Sequence, residues 1–280
     1  MGNWPIQDRR PFEIAFLRIE RANQHRLAAA KVWSDFLDEE PYHPVVRVDD
    51  DGEGELWIGL EAERLPLDIG FELGEMLYQY RAALDSSIYD ANVIETGQNP
   101  PPDERALEFP ICESESIFTG SRRKLGQLPR EYVEFIEAIQ PYNAPQIADE
   151  LRPKNINRNL LMLNDWSRKD RHRFLHIARS WGANRAPLFK LPDGVQVERM
   201  EIVPDAILEH DSRVAVFKLA GWHRGMHVEA NPNLTIDAAI DEPPPPINDN
   251  DTLGHRAYNI AFSVHLVVAR IEDIAKRARG

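Results

Sequence analysis

The sequence predicts an α+β fold that is mainly helical, a bundle of four long helices with an N-terminal β-hairpin and a C-terminal antiparallel sheet. Three observations carry this expectation. Four long stretches place apolar residues at helical spacing. Two β-branched runs flank an acidic, glycine-containing turn near residue 50. Between about residues 195 and 240 the helical spacing gives way to alternation. The 280 residues are read as a single domain spanning 1–280, with a helical core at about 11–40, 67–94, 155–181 and 253–279 and a β-rich insertion at about 195–240.

The first helix is marked by Phe12, Phe16, Ile19, Leu27, Trp33, Phe36 and Leu37, with Pro11 at its start and Pro41 beyond its end. Val45, Val46 and Val48, then Leu56, Trp57, Ile58 and Leu60, frame the turn Asp49-Asp-Asp-Gly-Glu-Gly as a hairpin. Ile69, Leu73, Met76, Leu77, Tyr80, Leu84 and Ile88 form the stripe of the second helix. The prolines of Gln98-Asn-Pro-Pro-Pro stop helical continuation, and Leu107-Glu-Phe-Pro-Ile then returns over the core. Short helices are expected at Ser114 to Arg123 and Arg130 to Ile139. The third long helix runs from Asn155 to Trp181 through Leu160, Leu163, Trp166, Phe174 and Ile177, with Gly182 as its stop. Val195, Val197, Ile202, Val203, Val214, Val216 and Leu219 predict antiparallel strands. Pro243 to Pro246 form a stiff linker to the last helix, Leu253 to Arg279. That helix is apolar on more than one side near Ile260 to Ala269, which suits burial deep in a bundle or in a homodimer seam.

Charge and composition narrow the function. A net charge of −13 argues against a nonspecific nucleic-acid coat. The stretch from Arg152 to Lys190 reverses that average, with ten Lys or Arg against Asp165 and Asp170, a local +8 that leaves −21 for the rest. Arg122, Arg123, Lys124 and Arg130 extend this basic set, which is a candidate phosphate-binding face or an ordinary solvated surface. No apolar run reaches the roughly 18 residues that span a bilayer, and Met1 to Arg10 lacks the apolar core of a secretion signal. Cys112 is the single cysteine, so no internal disulfide forms. These features together lead us to expect a cytoplasmic protein.

Candidate chemistry lies on two helices. Arg81 and Asp85, four residues apart in Tyr80-Arg-Ala-Ala-Leu-Asp-Ser-Ser, share one helical face. In Asp165-Trp-Ser-Arg-Lys-Asp-Arg-His-Arg-Phe-Leu-His, Asp170 neighbours Arg173 at i, i+3 and His172 neighbours His176 at i, i+4. His172/His176 and His223/His227 both have a spacing that binds metal when helical. Neither pair carries the glutamate of the zinc-protease pattern, the second falls in a strand and turn region, and neither a metal nor a cofactor is expected. No Gly-rich phosphate loop and no Gly-x-Ser-x-Gly elbow is present. An internal ion-pair network remains the plainer reading of Arg81, Asp85, Asp170 and Arg173.

These segments, with Phe109-Pro-Ile and Gln140-Pro-Tyr between them, resemble a group of uncharacterised bacterial proteins. That group carries an Arg-x-Ala-Leu-Asp-His helix, a Phe-Pro-Ile segment, a Gln-Pro-Tyr turn and an Asp-Lys-His-Arg helix. The resemblance covers about Leu67 to Ile177. Its first element is in turn similar to the Arg, four to six residues, His signature of the HEPN superfamily, helical proteins that include dimeric, metal-independent ribonucleases of toxin and defence systems. The resemblance implies that Arg81 stabilises charge on a phosphate. Ser86 stands where the signature has its His, and a serine cannot take up protons near neutral pH. His172 is the substitute base, provided that the second and third long helices touch. The expectation is therefore a candidate site of Arg81 and His172 with Asp85, Ser86, Asp170, Arg173 and His176 around them. It would bind RNA or a nucleotide phosphate, as an inactive or degenerate ribonuclease, in a homo-oligomer. The alternative is a noncatalytic dimeric interaction or scaffold protein that meets a protein partner through its acidic surface.

Overall fold

A computed structural model describes residues 10–60, 65–144, 155–172, 177–182, 186–203, 212–231, 235–240 and 252–279. In chain order these form α1 (Glu13–Asp38), β1 (Tyr42–Val48), β2 (Glu53–Leu60), α2 (Asp68–Thr96), α3 (Glu115–Ser121), α4 (Arg130–Ala138), α5 (Ile156–His172), β3 (Ile177–Gly182), β4 (Leu188–Lys190), β5 (Gln196–Ile202), β6 (Ser212–Ala220), β7 (Glu229–Asn231), β8 (Thr235–Ile240) and α6 (Leu253–Arg279). The fold is α+β and mainly helical, as expected. The chain divides into two compact units, one of Met1–Ala29, Gly70–Leu175 and Arg256–Gly280, the other of Ala30–Ile69 and His176–His255.

The helical unit is organised around α2. Its Met76, Leu77, Tyr80, Leu84 and Ile88 are fully buried, and so are Leu160 and Leu163 of α5 and Ile260, Val264, Val267, Val268 and Ile271 of α6. Each such side chain contributes about 1.5–3 kcal/mol by leaving water. Polar contacts register the helices on this core. Arg18 donates to Gln79 Oε1 (3.1 Å), Tyr80 donates to Asn23 Oδ1 (2.9 Å), and His25 Nδ1 lies 2.7 Å from Glu72 Oε2. From Phe12–Asp90 through Arg18–Gln79 to His25–Glu72, numbers rise along α1 as they fall along α2, so the two helices are antiparallel. Against α6, the Phe16 ring packs 5.7 Å from that of His265, and the Arg26 guanidinium sits 5.9 Å from the Tyr258 ring centroid. Asn159 of α5 donates to Ser263 Oγ of α6 (2.8 Å), a buried pair. Burial of both flanks of α6 near Ile260 accounts for its apolar excess inside one chain, while His265 and Leu266 remain exposed.

The start of α1 is pinned at a strained residue. Phe12 is buried with φ +65, in the left-handed region that a bulky side chain rarely adopts, and its N–H donates to Asp90 Oδ2 of α2 (2.9 Å). Ring burial and the carboxylate contact together hold that conformation.

The second unit contains a four-stranded antiparallel sheet ordered β1-β2-β6-β5, flanked by the separate pairs β3-β8 and β4-β7. The expected hairpin and two of the expected C-terminal strands, β5 and β6, are thus parts of one sheet. The hairpin turn works through Asp49, whose Oδ1 accepts from the N–H groups of Asp51 and Glu53 (2.9 Å each), and through Gly52 at φ +81. Alternation places Leu56 and Ile58, and Ala215, Phe217 and Leu219, on the core face with Val195 and Val228, and a register shift between Leu56 and Trp57 brings Val214 to the same core. The opposite face carries charge pairs, among them Arg213 to Glu55 (2.7 Å) and Arg199 to Glu53 (3.3 Å), and Arg47 lies 4.9 Å from the Trp57 ring centroid.

One expected element is corrected. The third long helix does not run to Trp181: α5 ends at His172, and Ile177–Gly182 is a strand registered against Thr235–Ile240, from Ile177↔Ile240 to Gly182↔Thr235. Ile177 and Trp181 fit a helical stripe by spacing, but β-branched and aromatic residues also suit a strand, and a partner strand distant in sequence decides between the two. Among the described residues no helix is long and apolar enough to cross a membrane.

A contact between α2 and α5 yields a prediction. A Cβ at Gly74 would lie 2.8 Å from both carboxylate oxygens of Asp170. Gly74→Ala should therefore gain less than the about 1 kcal/mol by which alanine is favoured over glycine in a helix, because the Asp170 carboxylate must swing aside. In an Asp170→Ala background the full gain should appear. Denaturant melts of the four proteins check this, and equal effects of Gly74→Ala in the two backgrounds would reject the contact.

Candidate functional site

The segment 107–112 crosses the core without regular structure, so its backbone groups need side-chain partners. Phe109 is fully buried. Its N–H donates to Asp85 Oδ1 (2.9 Å), and its carbonyl accepts from Arg81 Nη2 (3.2 Å). Spacing of four on α2 sets the two side chains side by side, where one supplies the acceptor and the other the donor that a single residue requires. Gln140 repeats the device from the end of α4. Its Oε1 accepts from Cys112 N–H (2.8 Å), and its Nε2 donates to Pro110 O (3.0 Å) and to Ile136 O (2.9 Å). Asn157, in the first turn of α5, donates in turn to Gln140 O (2.7 Å).

Charge gathers on the outer side of this clamp. Arg81 Nη2 lies 3.3 Å from Glu108 Oε1 and 3.8 Å from Asp85 Oδ1, and Lys124 Nζ lies 2.6 Å from Glu108 Oε2. Glu108 N–H also donates to Lys124 O (3.0 Å). Arg81 Nη1 is buried and has no hydrogen-bond partner among the described residues. Burial pushes the Asp85 carboxyl above the usual range against the opposing pull of Arg81 and the Phe109 N–H. Burial likewise raises the Cys112 thiol, which makes it a poor nucleophile.

The structure brings together part of the predicted set. Arg81, Asp85 and Ser86 lie within two turns of α2, and Ser86 Oγ donates to Ala82 O in the preceding turn (2.7 Å) rather than into the cluster. Asp170 does meet α2, but at Gly74, seven residues and about 10 Å along the helix from Arg81. Burial raises the Asp170 carboxyl first, then the charge of Glu75. His172 is the last residue of α5, and its side chain, like Arg173 and His176 as a whole, lies outside the described residues. The other predicted pair, His223 and His227, falls in turns between β6 and β7. Among the described residues no group of three metal-ligating side chains converges.

Two members of the cluster escape a reading of the sequence. Lys124 is visible there as one of the basic run Arg122-Arg123-Lys124, without indication of its partner. Glu108 carries no local signal at all, because only the path of the chain sets it between two cations from distant positions.

The clamp predicts distinct fates for two substitutions. Asp85→Ala orphans the buried Phe109 N–H and should cost about 1–3 kcal/mol. Asp85→Asn keeps an acceptor oxygen and removes a charge that burial disfavours, so it should cost less than Asp85→Ala. Because the folded-state pKa of Asp85 is raised, its ionisation removes stability as pH climbs from about 4 through the raised value. The stability of Asp85→Asn relative to the native protein should accordingly increase with pH across that window and then level off. Melts from pH 3 upward check this, and a difference that shrinks with pH would refute the assignment.

Among protein families, curated proteins and solved structures, none matches this chain.

Proposed function

We propose that the chain is a noncatalytic interaction protein, in which Arg81 and Asp85 serve the architecture. The observation that carries this reading is the pairing of both side chains with the two backbone groups of Phe109. A guanidinium committed to a carbonyl and a carboxylate is poorly placed to follow charge developing on a substrate. Ser86 offers no base, and its hydroxyl is bound within its own helix. In this reading the four long helices form a bundle, supported by the α1-α2, α1-α6, α2-α5 and α5-α6 contacts. The partner is a basic protein surface or a second copy of the chain, drawn to the acidic exterior.

A second reading is favoured by one specific observation. Arg81 and Lys124 converge on a single carboxylate, and Arg81 Nη1 has an unused donor. This is the chemistry of an anion seat, and it fits an HEPN-like protein that binds the phosphate of RNA or of a nucleotide without cleaving it.

One experiment separates the two. Melting temperature is followed with short RNAs, mononucleotides and inorganic phosphate at low and moderate salt, for the native chain and for Lys124→Ala. The interaction-protein reading expects no shift with any of them, and a concentration-dependent shift would overturn it. The phosphate reading expects a salt-sensitive shift that Lys124→Ala removes.

A further inference from the structure

We infer that Glu108 is an internal occupant of an oxyanion seat built by Arg81 and Lys124, and that a phosphate group competes with its carboxylate for that place. This inference rests on the phosphate-binding reading above and adds the regulation of that site. Three features of the geometry support it.

The first is convergence. The two oxygens of Glu108 are divided between cations from different parts of the chain, Oε1 with Arg81 Nη2 at 3.3 Å and Oε2 with Lys124 Nζ at 2.6 Å. A carboxylate bridging two cations in this way occupies the position that two oxygens of a phosphate would take.

Accessibility is the second. The Glu108 side chain is 43% exposed and that of Lys124 is 34% exposed, whereas Arg81 is 16% exposed. The carboxylate can therefore swing into water while the arginine stays in place. A carboxylate this exposed gains little from its ion pairs, so the competition is between comparable interactions.

The third is that the seat survives departure of its occupant. Glu108 N–H is fixed to Lys124 O at 3.0 Å, and both backbone groups of the next residue, Phe109, are held by Asp85 and Arg81. Only the Glu108 side chain needs to rotate. Lys124 Nζ, an ammonium with three N–H groups, can meet more than one oxygen of a ligand that has more oxygens than a carboxylate. Asp85, 3.8 Å from Arg81 Nη2, opposes an incoming anion, and its Oδ1 is already engaged by the Phe109 N–H. The seat is thus tuned for weak binding while the Glu108 carboxylate bridges the two cations and for stronger binding once that carboxylate is replaced.

The test is calorimetric titration of the full chain with inorganic phosphate and, separately, with a mononucleotide and a short RNA, at low salt. The native protein is compared with Glu108→Gln, Glu108→Ala and Glu108→Gln/Lys124→Ala. Either Glu108 variant should bind phosphate at least about tenfold more tightly than the native chain, and the added Lys124→Ala should remove the gain. Glu108→Ala retains the backbone bond to Lys124 O and serves as the second variant if Glu108→Gln is poorly folded. Equal affinity of native and Glu108 variants would overturn the competition while leaving phosphate binding intact. Absence of binding in all folded variants would overturn the phosphate-binding reading and this inference with it. Preference for the mononucleotide or the RNA over inorganic phosphate would identify which source of phosphate the seat serves.

Discussion

Irregular backbone buried over a hydrophobic core must have every N–H and C=O satisfied, and here a few side chains of one helix meet that demand. Along α2, Arg81 and Asp85 hold Phe109, and Asn92 holds the next loop by donating to Leu125 O (3.0 Å) and accepting from Gln127 N–H (2.9 Å). Asp90 holds Phe12 at the start of α1. Each contact places a polar atom beside the apolar stripe of the helix, and each is tolerable only because its partner is fixed. The helical unit is therefore a core whose loops are attached to α2 by paired donors and acceptors.

This dependence explains why the segments Arg81-x-x-x-Asp85, Phe109-Pro-Ile and Gln140-Pro-Tyr occur together. The first and third each supply an acceptor and a donor, and the second is the extended segment they bind. Proline at 110 and 141 removes two N–H groups that would otherwise need partners. Gly126 fits the same logic at the Asn92 contact, since its φ of +64 and the proximity of Asn92 exclude a side chain. The chemistry that drew attention to these residues, a cation and a carboxylate on one helical face, is the chemistry that holds a buried strand of backbone.

Function then turns on what the clamp leaves over. Phe109 uses one oxygen of Asp85 and one N–H of Arg81 Nη2, and the same Nη2 also meets Glu108, with Lys124 beyond it. That residue of charge lies on Glu108 and Lys124, side chains more accessible than Arg81. An architectural role for Arg81 and a binding role for its outer side are compatible for this reason.

Much of the fold was legible in local pattern. The spacing of apolar residues located α1, α2 and α6 to within two residues at each end, and β-branched alternation around Asp49-Asp-Asp-Gly located the hairpin, because helices and hairpins are stabilised by neighbours close in sequence. Pairing of Arg81 with Asp85 was readable for the same reason. Tertiary structure alone decided the rest. Ile177–Gly182 became a strand because Thr235–Ile240 lay beside it, and β2 joined β6 in one sheet across a long stretch of chain. Asp170 met Gly74 and not Arg81, and Glu108 came between Arg81 and Lys124. Contacts of this kind depend on where distant segments cross, and neither periodicity nor spacing within a segment records that crossing.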